Sequence, residues 1–468
     1  MRTTFFGYEL ARRSIAASQR SLDVTGHNIA NANAPGYSRQ RAILTATAPY
    51  TVPNVVRLAQ AGQVGTGVVV TDIRRMQSSF LEAQARIINS DTGTWSRRQE
   101  AVSRLEALTN EPGESGLHAL FNRFWESWHA LSTDPASVSL RQGARQSAAS
   151  LADGLNRMAR QVTDLQGNAD ENLRSDVHAI NSIAAQVSEL NAAIRLARNV
   201  GDSPNDLMDQ RDLALRELSE IANVTTREYG DGSIAVSIGG YDLVQQFGVN
   251  TLGIVNQPGN GYARVVWELT GVDLDVRAGS LAGSIEMRDV IYADFADELD
   301  LIADTVVAEV NALHNAGFDL GGAPGGDFFD PSVSGARGIK LSAAIAADAN
   351  LIAASTDGLP GNGDNATAIA QIRDRALAGL GGHRLTDYYR GVISGLAVSG
   401  QEAERVLITQ DLLGRQIDNQ QAQESGVSLD EEMVELMKHQ QVYTAAARLL
   451  SVMDEMIVTI IERMGAGR

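Results

Sequence analysis

The sequence lacks cysteine altogether and contains little lysine and few aromatic residues. The absence of cysteine from its 468 residues excludes disulfide bonds, thiolate metal ligands and cysteine nucleophiles. Lysine occurs only at Lys340 and Lys438, so arginine carries nearly all of the positive charge. Aromatic residues make up 5% of a chain in which 44% of the residues are hydrophobic. This composition favours a soluble globular protein whose helices pack through small and aliphatic side chains.

Long apolar runs are also missing. No segment approaches the roughly 18 uninterrupted apolar residues that cross a bilayer. The N-terminal stretch MRTTFFGYELARRSIAASQRSLDV has neither the apolar centre nor the cleavage site of a secretory signal. The net charge of −18 repels nucleic acid and anionic membranes. We therefore expect no nucleic-acid or membrane partner, and a protein that is either cytosolic or exported without oxidative folding.

Motifs for catalysis and cofactor binding are absent as well. The sequence contains no HExxH, no Walker A and no GxGxxG after a strand, and GESG at 113–116 lacks the spacing of a nucleophile elbow. The acids between Asp289 and Asp304 follow the polar face of a predicted helix, and the seven histidines do not cluster. The loop DGLPGNGDN lacks the alternating acids of a calcium loop. We therefore predict no enzyme activity, no metal and no cofactor.

Most of the chain has the apolar spacing of long helices. Helical patterns cover 72–109, 116–132 and 135–199, and the last would be about 95 Å long if continuous, although Gly154 and Gly167 make a break possible. Helix is predicted again from Leu281 and over 383–423, on either side of a loop-rich stretch at 317–365.

The period of the pattern changes to two between residues 223 and 278. Ile234, Val236 and Ile238 alternate with polar or small residues, and Val272, Leu274 and Val276 alternate with charged ones. Turn signals at Asp231-Gly232, at Gly239-Gly240 and in NQPGNG separate these runs. The pattern predicts a small antiparallel β-domain inserted into a helical protein.

Each end of the chain carries a thin apolar seam with steps of three and four residues. The first helix is predicted over about 4–31, with the seam Tyr8, Ala11, Ile15, Ser18, Leu22, Thr25 and Ile29. The last helix follows Ser428, which forms a capping box with Glu431, and has the seam Leu429, Met433, Leu436, Gln440, Tyr443, Ala447, Leu450, Asp454, Ile457 and Ile461. Such weak seams suit segments that fold only against a distant partner or another subunit, which favours assembly over an ordinary core.

These patterns predict a mainly α fold with an inserted antiparallel β-domain, a long helical rod, and terminal helices that pair as a coiled coil. The predicted domains are a terminal coiled-coil domain of 1–40 and 425–468, a helical rod domain of 41–222 and 279–424, and the β-domain of 223–278.

The stretch HNIANANAPGYSRQR at 27–41 predicts how the first helix ends. Pro35 disfavours helix at the preceding residue, and Gly36 after proline is typical of a type II turn. Asn28, Asn31 and Asn33 can hydrogen-bond the backbone groups left open at the helix end. We therefore predict a helix terminus rich in hydrogen-bonding groups, followed by extended chain.

The segment LDVTGHNIANANAPGYSRQR resembles the N-terminal signature of the flagellar axial proteins, and its GYSRQ continuation resembles their hook-associated group. GVSLDEEMVELMKHQQVYTAAARLLSVMDEMI at 426–457 is similar to the C-terminal signature of the same group. GSLAGSIEMRD at 279–289 and NALHNAGFDLGG at 311–322 also resemble its middle portion.

The resemblance implies a structural subunit of the bacterial flagellum at the junction of hook and filament. It implies self-association into a ring of the axial tube, contacts with the hook protein and the next hook-associated junction protein, and a cytoplasmic export chaperone on the C-terminal helix. It also implies an extracellular protein exported by the flagellar type III route without a cleaved signal.

The residues expected at subunit interfaces follow from the two terminal motifs. Terminal helix pairing is assigned to Leu22, Ile29, Leu436, Tyr443, Leu450 and Ile457. The turn out of the inner layer is assigned to Asn28, Asn31, Pro35, Gly36 and Tyr37.

Three alternatives remain at this point. The chain could be another flagellar axial subunit, either a hook or a distal rod protein, although a hook subunit should contain more β-structure. It could be an enzyme, such as a hydrolase, carried on an axial scaffold. It could also be a secreted adhesin that binds through residues 223–278.

Overall fold

The structure, a computed structural model, describes residues 6–49, 65–109, 113 and 116–465. Thr4, where the first helix is predicted to begin, and the middle of the GESG stretch lie outside these ranges. The described residues confirm the mainly helical fold. Their α-helices are α1 (Phe6–Asn31), α2 (Ser79–Thr109), α3 (Leu117–Thr133), α4 (Val138–Asn199), α5 (Asn205–Ile221), α6 (Ser280–Glu286), α7 (Tyr292–Ala316), α8 (Ala343–Ala347), α9 (Asp364–Ala370), α10 (Leu385–Ser425) and α11 (Leu429–Gly465).

The strands form three small antiparallel sheets, and two of them lie within 223–278 as predicted. The described strands are β1 (Gln40–Ala46), β2 (Val68–Arg75), β3 (Val224–Glu228), β4 (Ile234–Ile238), β5 (Tyr241–Gln245), β6 (Gly248–Val249), β7 (Leu252–Asn256) and β8 (Ala263–Trp267). β1 pairs with β2, β3 to β6 form a four-stranded sheet in chain order, and β7 pairs with β8.

Two local predictions are wrong. Residues 72–75 do not begin a helix, because they belong to β2 and pair with β1. The run from Val272 to Val276 is not a strand, since it makes only an isolated bridge between Asp273 and Val266. Leu274 and Val276 are nevertheless half-buried against neighbouring apolar side chains. The alternation therefore reports which side chains face the interior, which does not require continuous strand pairing.

A first core lies between α3, the first half of α4, α7 and the loops that follow α7. It is the main aromatic cluster of the described chain, and short helical segments such as α9 close it. Its aromatic members include Phe121, Phe124, Trp125, Trp128, Phe328 and Phe329.

A second core lies between the second half of α4, α5 and the strands of 223–278. Leu173 and Val187 of α4 face Leu218 of α5 and strand residues such as Val236 and Trp267. The β-insert thus shares apolar packing with the helices beside it. The predicted division of the chain into three domains stays a prediction.

Helix α4 runs through both cores without the break that Gly154 and Gly167 could have allowed. Its 62 residues correspond to about 93 Å. Gly154 is buried against α3, where a Cβ atom would collide with Leu120. This glycine is therefore explained by close helix packing.

The segment 279–289 follows the β-insert and contains the start of α6, which lies close to the backbones of α2 and α5. Gly279 has φ 103°, and a Cβ atom there would collide with the backbone of Ile221 at the end of α5. Its N–H donates to the carbonyl of Ser90 in α2 at 2.8 Å. Only glycine combines this backbone angle with this close approach.

Gly279→Ala is expected to destabilise the protein by about 2 kcal/mol or more, since it adds both backbone strain and a backbone clash. Gly261→Ala is the matched control, because Gly261 has φ 75° but nothing within 4 Å of the place that a methyl group would take. Urea unfolding of both variants measures the difference. Equal losses of stability would show that the close approach has no energetic weight.

The segment 311–322 contains the end of α7 and the chain that follows it. Its side chains hydrogen-bond the loops that cover the first core. Asn311 Oδ1 accepts from the N–H groups of Phe328 and Phe329, both at 2.9 Å. His314 is fully buried: its Nδ1 donates to the carbonyl of Gly326 at 2.5 Å, and its Nε2 accepts from the N–H of Ala353 at 2.8 Å. This arrangement requires a neutral imidazole.

Burial lowers the pKa of His314 to about 4 from its ordinary value of 6.5. Above pH 6.5 the histidine is neutral in both folded and unfolded chains. As the pH falls from 6.5 to 4, only the unfolded chain takes up this proton, so folding stability falls by about 3 kcal/mol. Urea unfolding across this range measures the loss. His314→Gln should remove this part of the pH dependence, and an unchanged pH profile in that variant would contradict the assignment.

Helices α2 and α10 pack along each other in antiparallel orientation. Gly400 lies against Val102, and Gly414 lies against Ile88 near the other end. At the far end Gln421 donates to the buried Glu82, which also accepts from Arg216 of α5. Few apolar side chains are buried between α2 and α10. The packing of these two helices therefore depends on small residues and on a buried polar cluster.

Candidate assembly site at the chain termini

The two terminal helices α1 and α11 lie side by side in antiparallel orientation. Gly7 lies against Met453 near one end of the pair, and Asn28 bonds Glu432 near the other. The two contacts are 21 residues apart on each helix (28 − 7 and 453 − 432), so the pairing keeps one register throughout. The described chain therefore brings its two ends together within one molecule.

The structure places the predicted seam residues of these helices with unequal burial. Leu22 and Ile29 of α1 and Leu436, Leu450 and Ile457 of α11 are half-buried. Tyr443 is 39% exposed. The positions of α1 that are fully buried carry smaller or more polar side chains: Ala11, Ala17, Ser18, Ser21, Val24, Thr25 and Asn28.

These small side chains face a cavity of about 610 Å³ between α1, β1 and α11. Ser14, Ser18 and Ser21 line it from α1, and His439 and Val442 line it from α11. The terminal helices therefore meet through limited apolar contact in a single chain, and polar contacts at one end carry much of the docking.

The turn after α1 has the predicted geometry. Tyr37 N–H donates to the carbonyl of Ala34 at 3.2 Å, Pro35 is exposed, and Gly36 has φ 75°. These are the features of a type II turn. Asn31 Nδ2 donates to the carbonyl of His27 at 3.0 Å, so it satisfies one of the open carbonyls at the helix end.

Asn28 is the centre of a buried polar cluster, here called the terminal hub and formed by Asn28, Tyr37, Arg39, Gln40 and Glu432. Asn28 Oδ1 accepts from the Tyr37 hydroxyl at 2.8 Å and from the Gln40 N–H at 2.9 Å. Asn28 Nδ2 donates to the Gln40 carbonyl and to Glu432 Oε2, both at 2.9 Å. One amide side chain thus joins α1, the turn, β1 and α11, and all of its hydrogen-bonding capacity is used.

Arg39, which directly precedes β1, forms ion pairs with the first turn of α11. Its guanidinium lies 2.9 Å from Glu431 Oε2 and 2.7 Å from Glu432 Oε1. The backbone N–H of Arg39 donates to the carbonyl of Ser425 at 2.9 Å. The predicted capping box is half formed. Ser428 Oγ accepts from the Glu431 N–H at 3.5 Å, while the Glu431 carboxylate is directed at Arg39.

Helix α5 supports the terminal hub from the body of the protein. Asp209 Oδ2 accepts from the Ser38 N–H at 3.1 Å, and Asp206 Oδ1 accepts from Gln40 Nε2 at 2.7 Å. Arg75 of β2 donates to Asp209 at 2.8 Å. These contacts set the position of the chain ends relative to the second core.

Burial raises the pKa values of Tyr37 and Asp209. It raises the pKa of the Tyr37 hydroxyl well above its ordinary range, and the neighbouring Asp206, Asp209 and Glu432 carboxylates raise it further. Tyr37 therefore stays protonated and remains a donor to Asn28. Burial also raises the pKa of Asp209, although Arg75 and the Ser38 N–H favour its charged form.

The side of α11 that faces away from α1 and β1 carries large exposed apolar side chains. Val434 is 58% exposed, Met437 51% and Val452 46%. These side chains recur over several turns and form an exposed apolar surface on α11, of the kind often found at protein–protein contacts.

Other kinds of site find no support among the described residues. No group of three or more histidine, aspartate or glutamate side chains in the described ranges is placed to hold a metal ion. None of the helices in those ranges is long and apolar enough to cross a membrane.

Sequence reasoning found the turn and Asn28 but missed their partners. Glu432, Arg39 and Gln40 complete the terminal hub, while Asp206 and Asp209 lie in a helix that no motif singled out. The position of Glu432 four residues after Ser428 was the available signal. It does not distinguish a buried acid from its exposed neighbours Asp430 and Glu431.

Comparison with known proteins agrees with this arrangement. A family model described as the flagellar hook-associated protein FlgK helical domain matches residues 102–329. One described as the flagellar basal body rod FlgEFG protein C-terminal matches residues 420–463. The solved structure of the flagellar hook junction protein FlgK from Burkholderia pseudomallei has a TM-score of 0.66 at 16% identity, and covers 74% of this chain and 100% of that one. This likeness shows a shared fold.

Two relatives extend over nearly the whole length. Flagellar hook-associated protein 1 of Bacillus subtilis (strain 168) is 33% identical over 509 residues, with 100% of both chains covered. Flagellar hook-associated protein 1 of Escherichia coli (strain K12) is 24% identical over 545 residues, with 96% of this chain and 98% of the relative covered. The family indicated by the terminal and central motifs is thereby confirmed: the chain belongs to the flagellar hook-associated protein 1 family.

Proposed function

We propose that this protein is a structural subunit of the bacterial flagellum that joins the hook to the filament and has no enzymatic activity. The observation that carries the proposal is the docking of the two chain ends as α1 and α11, with an apolar face of α11 left uncovered in one chain. Membership of the family supports the flagellar location.

Assembly through the terminal helices is the proposed mechanism. In the ring, α1 and α11 would tighten into a coiled coil, and the exposed face of α11 would pack on neighbouring copies. The proposed interface residues are Leu22, Asn28, Ile29, Asn31, Pro35, Gly36, Tyr37, Leu436, Tyr443, Leu450 and Ile457. The half-burial of Leu22, Ile29 and Leu450 in the single chain supports a surface that gains contacts on assembly.

The proposed partners are other copies of this chain, the hook protein and the next hook-associated junction protein. A cytoplasmic chaperone would cover α11 before export, which would follow the flagellar type III route without a cleaved signal. The exposed Val434, Met437 and Val452 support an interaction of α11 at that stage. The domains proposed to act in the tube are 1–40 with 425–468 at the centre, 41–222 with 279–424 in the wall, and 223–278 facing outward.

The competing proposal is another axial subunit, because the family model over residues 420–463 is that of the rod and hook proteins. A common C-terminal helix explains that match, since rod, hook and junction subunits would share one tube. The full-length relatives favour the junction.

Electron microscopy of cells that lack this gene, combined with an assay for flagellin in the medium, tests the proposal. Bare hooks with secreted flagellin are expected. Absent hooks would place the protein in the rod or hook instead, and intact filaments would overturn the structural role. Complementation with the intact gene is the control.

A further inference from the structure

A buried polar layer separates the first core from the second. In the first core, α4 contributes apolar side chains up to Ala169, and in the second core it resumes with Leu173. Between them Asp170 is buried and bonds Arg288, which is 2% exposed. Asp170 also accepts from the Ala263 N–H at 2.7 Å and from Arg174 at 2.8 Å.

Arg288 reaches this layer from a π-helical turn. Residues Met287–Ile291 form that turn between α6 and α7. Arg288 donates to the Ala263 carbonyl at 2.8 Å and to both oxygens of Asp289. A π turn is uncommon within helices and marks a local departure from regular packing. Here it interrupts the helical segment at the level where the cores meet.

The sequence of α4 has low helix propensity at the same level. Gly167 and Asn168 stand just before Asp170, and both residue types disfavour helix. Nothing lies within 4 Å of a Cβ position at Gly167, so close packing does not explain this glycine.

Helix α2 also contains a stretch that disfavours regular helix, beside the start of α6 at Gly279. The hydroxyls of Ser90, Thr92 and Thr94 each bond a carbonyl three or four residues earlier. Such bonds compete with the helix backbone and often bend it. Gly93 lies among these residues for a different reason, because a Cβ atom there would collide with the Glu220 carbonyl and the Ser280 N–H. Departures from favourable helix sequence or geometry thus occur at the boundary in α4 and between α6 and α7, and in α2 beside the start of α6.

We propose that this boundary is a hinge about which the two cores change their relative orientation. The Arg288–Asp170 pair is the contact that favours one of these orientations. A buried ion pair adds little net stability to a fold compared with apolar packing. An orientation of the cores that separates the pair is nevertheless unfavourable, because it leaves buried charges without a partner. The hinge does not depend on the proposed function. In a tube wall it would let neighbouring copies differ in curvature.

Hydrogen exchange of the full chain, followed by mass spectrometry, tests the hinge in α4. Amides of 163–170 are expected to exchange at least tenfold faster than those of 150–160 and 178–188 in the same helix. Gly167→Ala combined with Asn168→Ala should slow exchange at 163–170 about tenfold, because both changes favour helix. Gly143→Ala is the matched control, since this glycine also lies in α4 with nothing within 4 Å of its Cβ position.

Motion between the cores needs a second readout. Because the chain has no cysteine, spin labels can be attached only at introduced sites, such as Leu359→Cys beside the first core and Leu269→Cys in the β-insert, which are 63% and 84% exposed. The distance distribution is expected to be broad and to narrow in the Gly167→Ala/Asn168→Ala variant. Uniform exchange along α4, or a distribution that the variant leaves unchanged, would overturn the hinge.

Discussion

Asn28→Ala is expected to detach the start of α11 from α1 while both cores stay folded. The change removes a buried amide that donates twice and accepts twice, and leaves the Gln40 backbone and one oxygen of Glu432 without this partner. Unsatisfied buried groups of this kind cost on the order of 3 kcal/mol together. That loss corresponds to roughly 100-fold faster hydrogen exchange at the beginning of α11.

Asn33→Ala is the matched control within the same asparagine-rich stretch. Asn33 is exposed, whereas Asn28 is buried. Its replacement should leave the exchange of α11 unchanged, and Asn31→Ala, which removes one bond to His27, should have a small effect. If Asn28→Ala behaves like Asn33→Ala, the terminal hub does not hold the two helices together. Tryptophan fluorescence reports separately on whether the cores stay folded, because Trp125 and Trp128 lie in the first core and Trp267 lies in the second.

The turn after α1 could be predicted because its causes are local. Pro35 and Gly36 favour particular backbone angles whatever surrounds them, and the observed φ of 75° at Gly36 follows from its residue type. Asn28 could be recognised as a hydrogen-bonding group for the same reason. Its partner Glu432 could not be identified, because it lies 404 residues further along and only the fold brings it close.

The strand β2 shows how tertiary pairing overrides a helical pattern. Residues 72–75 precede a long helix and continue its spacing, yet β1 pairs with them from Gln40 onward. That pairing depends on chain contacts about 30 residues apart, which no local window contains. The half-buried Leu274 and Val276 are a different case, since their alternation is real but this run pairs with β8 only through an isolated bridge at Asp273.

The seam predicted on α1 shows why thin seams are hard to assign. Steps of three and four residues selected Leu22 and Ile29, which are half-buried, and also Ser18 and Thr25, which are fully buried. Helix α1 contacts both α11 and the paired strands β1 and β2, so its buried face is wider than a two-helix seam. Sequence reasoning identified the helix, its neighbour α11 and the extended chain that follows the turn, but it did not predict the pairing of β1 with β2 beside α1.

Leu450→Asp is expected to abolish incorporation into the flagellum. Leu450 is half-buried on α11, and a carboxylate without a partner there costs several kcal/mol once assembly completes the burial. Cells carrying the variant should have bare hooks, secrete flagellin monomer and fail to swim. The purified chain should keep its tryptophan fluorescence, since Leu450 is a member of neither core cluster.

Leu450→Met separates loss of the interface from general intolerance at this position. The two side chains have similar volume and polarity, so assembly should persist with little change. Ordinary filaments with Leu450→Asp would show that this face of α11 is not an interface, whereas failure of both variants would indicate a demand for shape rather than for apolar burial. The proposed mechanism requires failure with aspartate and filaments with methionine, because it assigns the docking of α11 to apolar contact along the helix and to the terminal hub at its start.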